Sequence, residues 1–344
     1  MKAAHMSPGA RITAIGEHRP AGVLTNDDIA ARGLDTTDEW IRTRTGITQR
    51  HVAAADETVI SMGADAAAKA LAGAGLTGAD VDLVVLATCT MRNPIPGGAA
   101  RIATAIGAAG VGAFDLNAAC GGFCYALSVA ADAVRSGSAH RVVVIGSEKL
   151  TDWLDWNDRG TCILFGDGAA AVVVEASDEP GIGPVAWGSD GDAFASVAVP
   201  EGDWAIRMDG PVVFRWATTQ MAPVALRACE LAGVTLDDLS AFVPHQANQR
   251  IVDAMVRALK LPAHVVVARD IATTGNTSAA SVPLALSTLV TTGEVESGGL
   301  ALLLAFGAGL TFAGQVVRIP DDDLKDLKTV GDAVSYIEKA GVSV

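Results

Sequence analysis

The chain repeats itself. Residues 117–146 and 275–307 follow one plan of turn, helical stretch, Gly-containing loop, apolar strand and glycine. Pairing Gly137 with Gly293 sets an offset of 293 − 137 = 156, and the same offset carries Cys120 onto Asn276 at the two helix starts. Two such halves packed face to face would bring both helix N-termini toward a shared centre. Strand-like apolar runs at 83–87, 142–145, 171–174, 241–243 and 301–304 lie between alanine-rich segments of helical periodicity, so the chain reads as α/β. Several of these runs are apolar at every position, as expected of strands covered by helices on both faces. The stretch 177–184, acidic and containing Pro and Gly, is the expected boundary between the halves.

Composition narrows the function. With 344 residues, half of them apolar and 19% charged, the chain can bury one large core or two modest ones. Lysine and arginine total 25 against 39 acidic residues, a net charge of -14, which argues against a nucleic-acid partner. No apolar stretch reaches the roughly 20 residues that span a bilayer, and residues 1–14 have no secretory apolar region, so a membrane location is not expected. Residues 1–6 read partly as an expression remnant, because His5-Met6 is a common cloning junction. The five cysteines, Cys89, Cys120, Cys124, Cys162 and Cys229, are odd in number and sparse, which suits a reducing cytoplasm.

Three short segments carry chemistry. Cys120 sits in Asn-Ala-Ala-Cys-Gly-Gly-Phe, between an apolar run and the helical stretch 125–134. A cysteine at a helix N-terminus feels the unpaired amides, which favours the nucleophilic thiolate, and the following glycines permit close approach of an acyl group. A small core residue is the alternative reading of a cysteine among alanines. The Cys120/Cys124 pair hints at redox or metal chemistry, but no second pair or histidine cluster accompanies it, so no metal and no cofactor are expected. His245 falls in Val-Pro-His-Gln-Ala-Asn, a strand-to-helix loop ahead of the amphipathic stretch 250–259. Residues 273–281, Thr-Thr-Gly-Asn-Thr-Ser-Ala-Ala-Ser, read as a turn and helix cap around Asn276. Phe165-Gly166-Asp167-Gly168 reads as a structural turn, since the Lys-Ser/Thr ending of a phosphate cradle is absent.

Together these segments, in this order, resemble the β-ketoacyl-acyl carrier protein synthase III family. The likeness extends to Asp-Glu-Trp-Ile-Arg-Thr-Arg-Thr-Gly-Ile at 38–47, Asp-Arg-Gly-Thr at 158–161, Phe-Gly-Asp-Gly-Ala at 165–169 and Phe-Gly-Ala-Gly at 306–309, covering about residues 11–320. The resemblance implies a thiolase fold with a duplicated five-layer αβαβα architecture, its N-terminal half at 1–178 and its C-terminal half at 179–320. It implies a cytoplasmic homodimer that takes an acyl group from acyl-CoA onto Cys120 and condenses it with malonyl-acyl carrier protein, starting fatty acid or polyketide synthesis. His245 and Asn276 would serve the decarboxylation, and the backbone N–H groups of Cys120 and Ala308 would form the oxyanion site. Trp40, Arg44, Arg159, Gly210, Asn248 and Arg250 match residues along the CoA and pantetheine path, while Ile95, Leu150, Phe165 and Phe306 match the acyl pocket.

The chain departs from the family pattern at Thr-Cys-Thr-Met-Arg-Asn-Pro-Ile-Pro, 88–96, where Ile95 takes the place from which a partner subunit floors the acyl pocket. Gly121 stands where alanine is frequent, and 196–203 looks short, which would open the tunnel rim. Residues 321–344 resemble the last third of an acyl carrier protein without its Asp-Ser-Leu attachment motif, so any carrier protein must act in trans. Transfer to an alcohol or amine acceptor in a secondary-metabolite pathway is the alternative chemistry, and a non-enzymatic interaction protein the alternative class. The transfer alternative would use the same Cys120 and His245, so Asn276 is what argues for decarboxylation, while intact chemistry at all three positions argues against the non-enzymatic class.

Overall fold

A computed structural model describes residues 7–320; residues 1–6 and 321–344, the latter expected from the sequence to resemble part of a carrier protein, lie outside the described part. Every apolar run expected to be a strand is one. The first sheet contains β1 (Gly9–His18), β2 (Leu83–Ala87), β3 (Gly112–Leu116), β4 (Arg141–Lys149) and β5 (Asp167–Ser177), ordered β1-β5-β4-β2-β3. The second contains β6 (Ala186–Gly188), β7 (Ala241–Pro244), β8 (Val266–Val267), β9 (Leu300–Phe306) and β10 (Phe312–Arg318), ordered β6-β10-β9-β7-β8. The second order is the first with five added to each number. Directions repeat as well, because β4, β2 and β3 are mutually parallel, as are β9, β7 and β8, and the remaining neighbours pair antiparallel. This is the thiolase fold, an α/β architecture with two mixed five-stranded sheets.

Seven helices of more than one or two turns matter here: α1 (Asp38–Thr45), α2 (Val59–Gly73), α3 (Ala99–Ala105), α4 (Gly122–Arg135), α5 (Gly210–Ala232), α6 (Gln249–Leu259) and α7 (Ser281–Thr291). Helices α2 and α3 cover the outside of the first sheet, and α5 and α6 cover the outside of the second. Between the sheets lie α4 and α7, each touching strands of both. Their side chains Phe123, Leu127, Val134, Val282, Leu286 and Leu289 join one buried cluster with Val85, Val144, Val243 and Leu303. An outer helix needs one apolar stripe, but a helix between two sheets needs apolar residues nearly all round, which is why α7 reads Ser-Val-Pro-Leu-Ala-Leu-Ser-Thr-Leu-Val-Thr.

The repeat is real, but its register differs from the sequence expectation. Helices α4 and α7 each follow a 3₁₀ turn, Ala119–Gly121 and Ser278–Ala280, whose first residues have φ of +47° and +48°. The helices begin at Gly122 and Ser281, an offset of 281 − 122 = 159, and α7 has 11 residues against 14. The offset of 156 aligns only the glycines that end the helices, Gly137 (φ +72°) and Gly293 (φ +71°). The counterpart of Cys120 is therefore Ala279, and the counterpart of Asn276 is Asn117. Each asparagine accepts the backbone N–H two residues on, at 3.1 Å from Ala119 and 2.9 Å from Ser278.

Candidate active site

Both turns open on one cavity of about 1480 Å³ at the seam between the sheets. Cys120, His245 and Asn276 line it, as do Ala308, Trp40, Arg44, Arg159, Gly210, Asn248, Arg250, Leu150, Phe165 and Phe306. Ile95 does not; it stands 87% exposed on the surface.

The nucleophile turn is built by close approach. A Cβ on Gly307 would lie 2.5 Å from the backbone N of Cys120, so the turn after β9 reaches the Cys120 turn only because residue 307 is glycine. Thr311 ties the two together, its Oγ1 donating to the carbonyl of Ala118 at 2.9 Å. Among the described hydrogen bonds, neither the N–H of Cys120 nor that of Ala308 is given to another residue. Two such donors, one ahead of α4 and one in the turn after β9, suit an anionic oxygen.

The thiol behaves otherwise than its helix position suggests. Burial pushes Cys120 up to about 12, opposed by a hydrogen bond with Ser278 and reinforced by the Glu148 carboxylate. Lost hydration disfavours the thiolate and so favours the thiol at rest.

His245 ends β7. Its ring is 1% exposed, packs edge-on against Phe306 at 5.2 Å between centroids, and burial holds it neutral by lowering its pKa to about 3. Nδ1 lies 2.6 Å from Ser281 Oγ, and that oxygen also accepts the Gln246 N–H at 3.4 Å. With the Ser281 proton directed to Nδ1, the neutral imidazole carries its own proton on Nε2, where it serves as a donor. Ser281 is thus the group that orients His245. The sequence showed it only as a helix cap.

Asn276 is held from three sides. Its N–H donates to Leu164 (2.8 Å), its carbonyl accepts from Gly166 (3.0 Å), and its Oδ1 accepts from Ser278. With Oδ1 engaged, the Nδ2 protons are what the side chain offers to a ligand. Gly275, at φ +66°, has room for no Cβ between Arg50 and Leu164. Asp167 in the neighbouring Phe-Gly-Asp-Gly turn accepts from Thr151 N, Thr151 Oγ1 and Ala53 N, so its carboxylate is consumed by the fold.

At the cavity mouth the Trp40 ring lies between two guanidinium groups, Arg44 at 4.2 Å and Arg159 at 4.7 Å. Asn248 caps α6, accepting from Arg250 N and donating to the carbonyl of Arg44, which joins α6 to α1. Arg250 stacks over Phe214 at 5.3 Å. Exposed Phe194 and Val199 make an apolar rim. Sequence reasoning also missed Glu148, a fully buried acid behind the cavity.

Family models for 3-oxoacyl-[acyl-carrier-protein] synthase III match residues 114–191, and for its C-terminal part residues 229–319. The chain is 51% identical to β-ketoacyl-[acyl-carrier-protein] synthase III 4 of Streptomyces coelicolor, over 92% of this chain and 100% of that one. The crystal structure of the priming β-ketosynthase from the R1128 polyketide pathway superposes with a TM-score of 0.91 at 47% identity, covering 94% of this chain and 99% of the other. The Aquifex aeolicus 3-oxoacyl-[acyl-carrier-protein] synthase III superposes at 0.85 with 41% identity, covering 90% and 100%.

Proposed function

From the premise that this chain belongs to the β-ketoacyl-[acyl-carrier-protein] synthase III family, thiolase-like condensing enzymes, we propose how its own residues divide the reaction. The protein is an acyltransferase that condenses acyl-CoA with malonyl-acyl carrier protein and so initiates fatty acid or polyketide synthesis. Cys120 Sγ attacks the acyl thioester; the C–S bond to CoA breaks, and CoA leaves with the thiol proton. The oxyanion of that step sits between the N–H groups of Cys120 and Ala308. Malonyl-acyl carrier protein then loses CO2, and its carbanion attacks the acyl-cysteine and expels the Cys120 thiolate. His245 Nε2–H and Asn276 Nδ2–H donate to the thioester oxygen, where charge builds during decarboxylation.

The observation that carries this reading is the pairing of a half-buried thiol with two neutral donors whose other polar atoms are already occupied. Trp40, Arg44, Arg159, Gly210, Asn248 and Arg250 would receive CoA and the pantetheine arm, and Leu150, Phe165 and Phe306 the acyl chain. Mass spectrometry of Cys120 acylation, read beside CO2 release, tests the division. Cys120→Ser should lose both, whereas His245→Ala and Asn276→Ala should acylate and fail to decarboxylate; equal loss of both steps would overturn the assignment.

A homodimer is supported by β3, whose outer edge is unpaired among the described residues and which carries Phe114, 40% exposed; Ile95 is exposed as well. Across such an interface Ile95 would floor the partner's acyl pocket. Five free cysteines support a reducing cytoplasm. No helix among the described residues is long and apolar enough to cross a membrane. The tail at 321–344 carries six acidic and three basic residues, 3 − 6 = −3, complementary to Arg250, Arg257 and Lys260. If it competes with incoming carrier protein, removal after Pro320 lowers the KM for malonyl-acyl carrier protein and leaves that for acyl-CoA alone.

A further inference from the structure

Glu148 is the last acid one would place in a core. It is the penultimate residue of β4, is fully buried, and faces no cation in its hydrogen bonds. Its Oε2 accepts from Thr90 Oγ1 (2.5 Å), Thr88 Oγ1 (3.0 Å) and Cys89 N (3.1 Å). Its Oε1 accepts from Cys89 N (3.2 Å), Cys89 Sγ (3.3 Å) and Ala279 N (3.4 Å). Five donors thus converge on one carboxyl group, four from the 88–90 segment of the first half and one from the Ser278–Ala280 turn of the second. Cys89 Sγ also lies 3.5 Å from Ser278 Oγ. Cys89, Thr90, Ser278 and Asn276 all line the cavity. Removing its oxygens would leave these buried donors without an acceptor, so the carboxyl group is what joins the two segments.

We propose that Glu148 is a positioning residue for the condensation, a single carboxylate that holds the 88–90 segment against the turn carrying Asn276 and Ser278. The inference rests on the division of roles proposed above. Its geometry touches the two reaction steps unequally. The oxyanion donors of acyl transfer, at Cys120 and Ala308, are set by Gly307 and Thr311, and the hydrogen bonds described for Glu148 do not reach them. The Asn276 turn depends on Glu148 through Ala279 N. Loss of the carboxylate should therefore spare acylation and impair decarboxylation.

The groups facing Cys120 also give a readout that a scaffold role would not move. Cys89, Ser278 and His245 are its neutral neighbours in the cavity, and Glu148 is the one acid acting on it, raising its pKa. Taking that charge away should make the thiol more acidic.

The test compares wild type with Glu148→Gln, Glu148→Asp and Asn276→Ala in three assays: acylation of Cys120 by acyl-CoA, CO2 release from malonyl-acyl carrier protein, and the pH profile of Cys120 alkylation by iodoacetamide. Glu148→Gln should acylate within about threefold of wild type, release CO2 at least about tenfold more slowly, and alkylate with its profile moved to lower pH. Glu148→Asp keeps the charge but cannot span both segments, so it should slow CO2 release with an unmoved profile; it carries the test if the Gln variant does not fold. Wild-type CO2 release in both Glu148 variants, or equal losses in acylation and CO2 release, overturns the inference. If Asn276→Ala itself releases CO2 normally, the division of roles fails instead.

Discussion

Burial moves Cys120 and His245 in opposite directions on the pH scale, and each shift can be measured. The thiol, raised to about 12, is protonated at neutral pH, and its thiolate fraction grows as pH rises. Alkylation of Cys120 should therefore keep accelerating between pH 7 and 9; a plateau already reached at pH 7 would mean that the α4 terminus outweighs burial after all. His245, lowered to about 3, stays neutral as pH falls through the range where an exposed imidazole would gain a proton. In enzyme already acylated, CO2 release should show no loss with a midpoint near pH 6.5. Such a loss would show the ring protonating. Cys120, His245 and Asn276, which meet at the cavity, were legible in the sequence because each sits in a turn beside an apolar run. Ser281 and Glu148 were not, since their partners are His245, 36 residues away, and Cys89, 59 residues away. An acid closing the apolar run Val-Val-Val-Ile-Gly-Ser-Glu was the one signal available for Glu148.

At the scale of elements, the site is a meeting of turns at the ends of β7 and β9 and the starts of α4 and α7. Gly307→Ala would force a Cβ to within 2.5 Å of the Cys120 backbone, and backbone cannot step aside as a side chain can. We expect acylation to fall by about a hundredfold or more, equivalent to roughly 2.7 kcal/mol of transition-state stabilisation. The secondary-structure circular dichroism should be retained, and a near-normal acylation rate would show that the two turns do not need this contact. The strands and helices that frame these turns were readable from apolar runs. The register of the repeat was not, because α7 is shorter than α4 by three residues, so one offset fits the helix ends and another the helix starts. Matching Asn117 with Asn276, each two residues ahead of a positive-φ turn residue, would have found it.

At the scale of the whole molecule, Ile95 lies outside the cavity that holds Cys120. If two chains pair along β3, replacing Ile95 by Ala should shift the preference toward longer acyl-CoAs while the sedimentation coefficient stays that of a dimer. An unchanged chain-length profile would remove Ile95 from the acyl pocket. The middle layer decides how substrates enter. Helices α4 and α7 are glued to both sheets, and parting the halves would wet Phe123, Leu127, Val134, Val282, Leu286 and Leu289 along with the strand residues they cover. At about 1.5–3 kcal/mol for each large side chain, that exceeds the roughly 5–15 kcal/mol that holds a whole domain folded. The molecule is thus a lock cut into a solid block, with no jaw to open. Its ligands must be keys: a thioester at the tip of a long thin arm slides in end-on while the bulky nucleotide or carrier protein stays outside, and turnover leaves the overall dimensions of the enzyme unchanged.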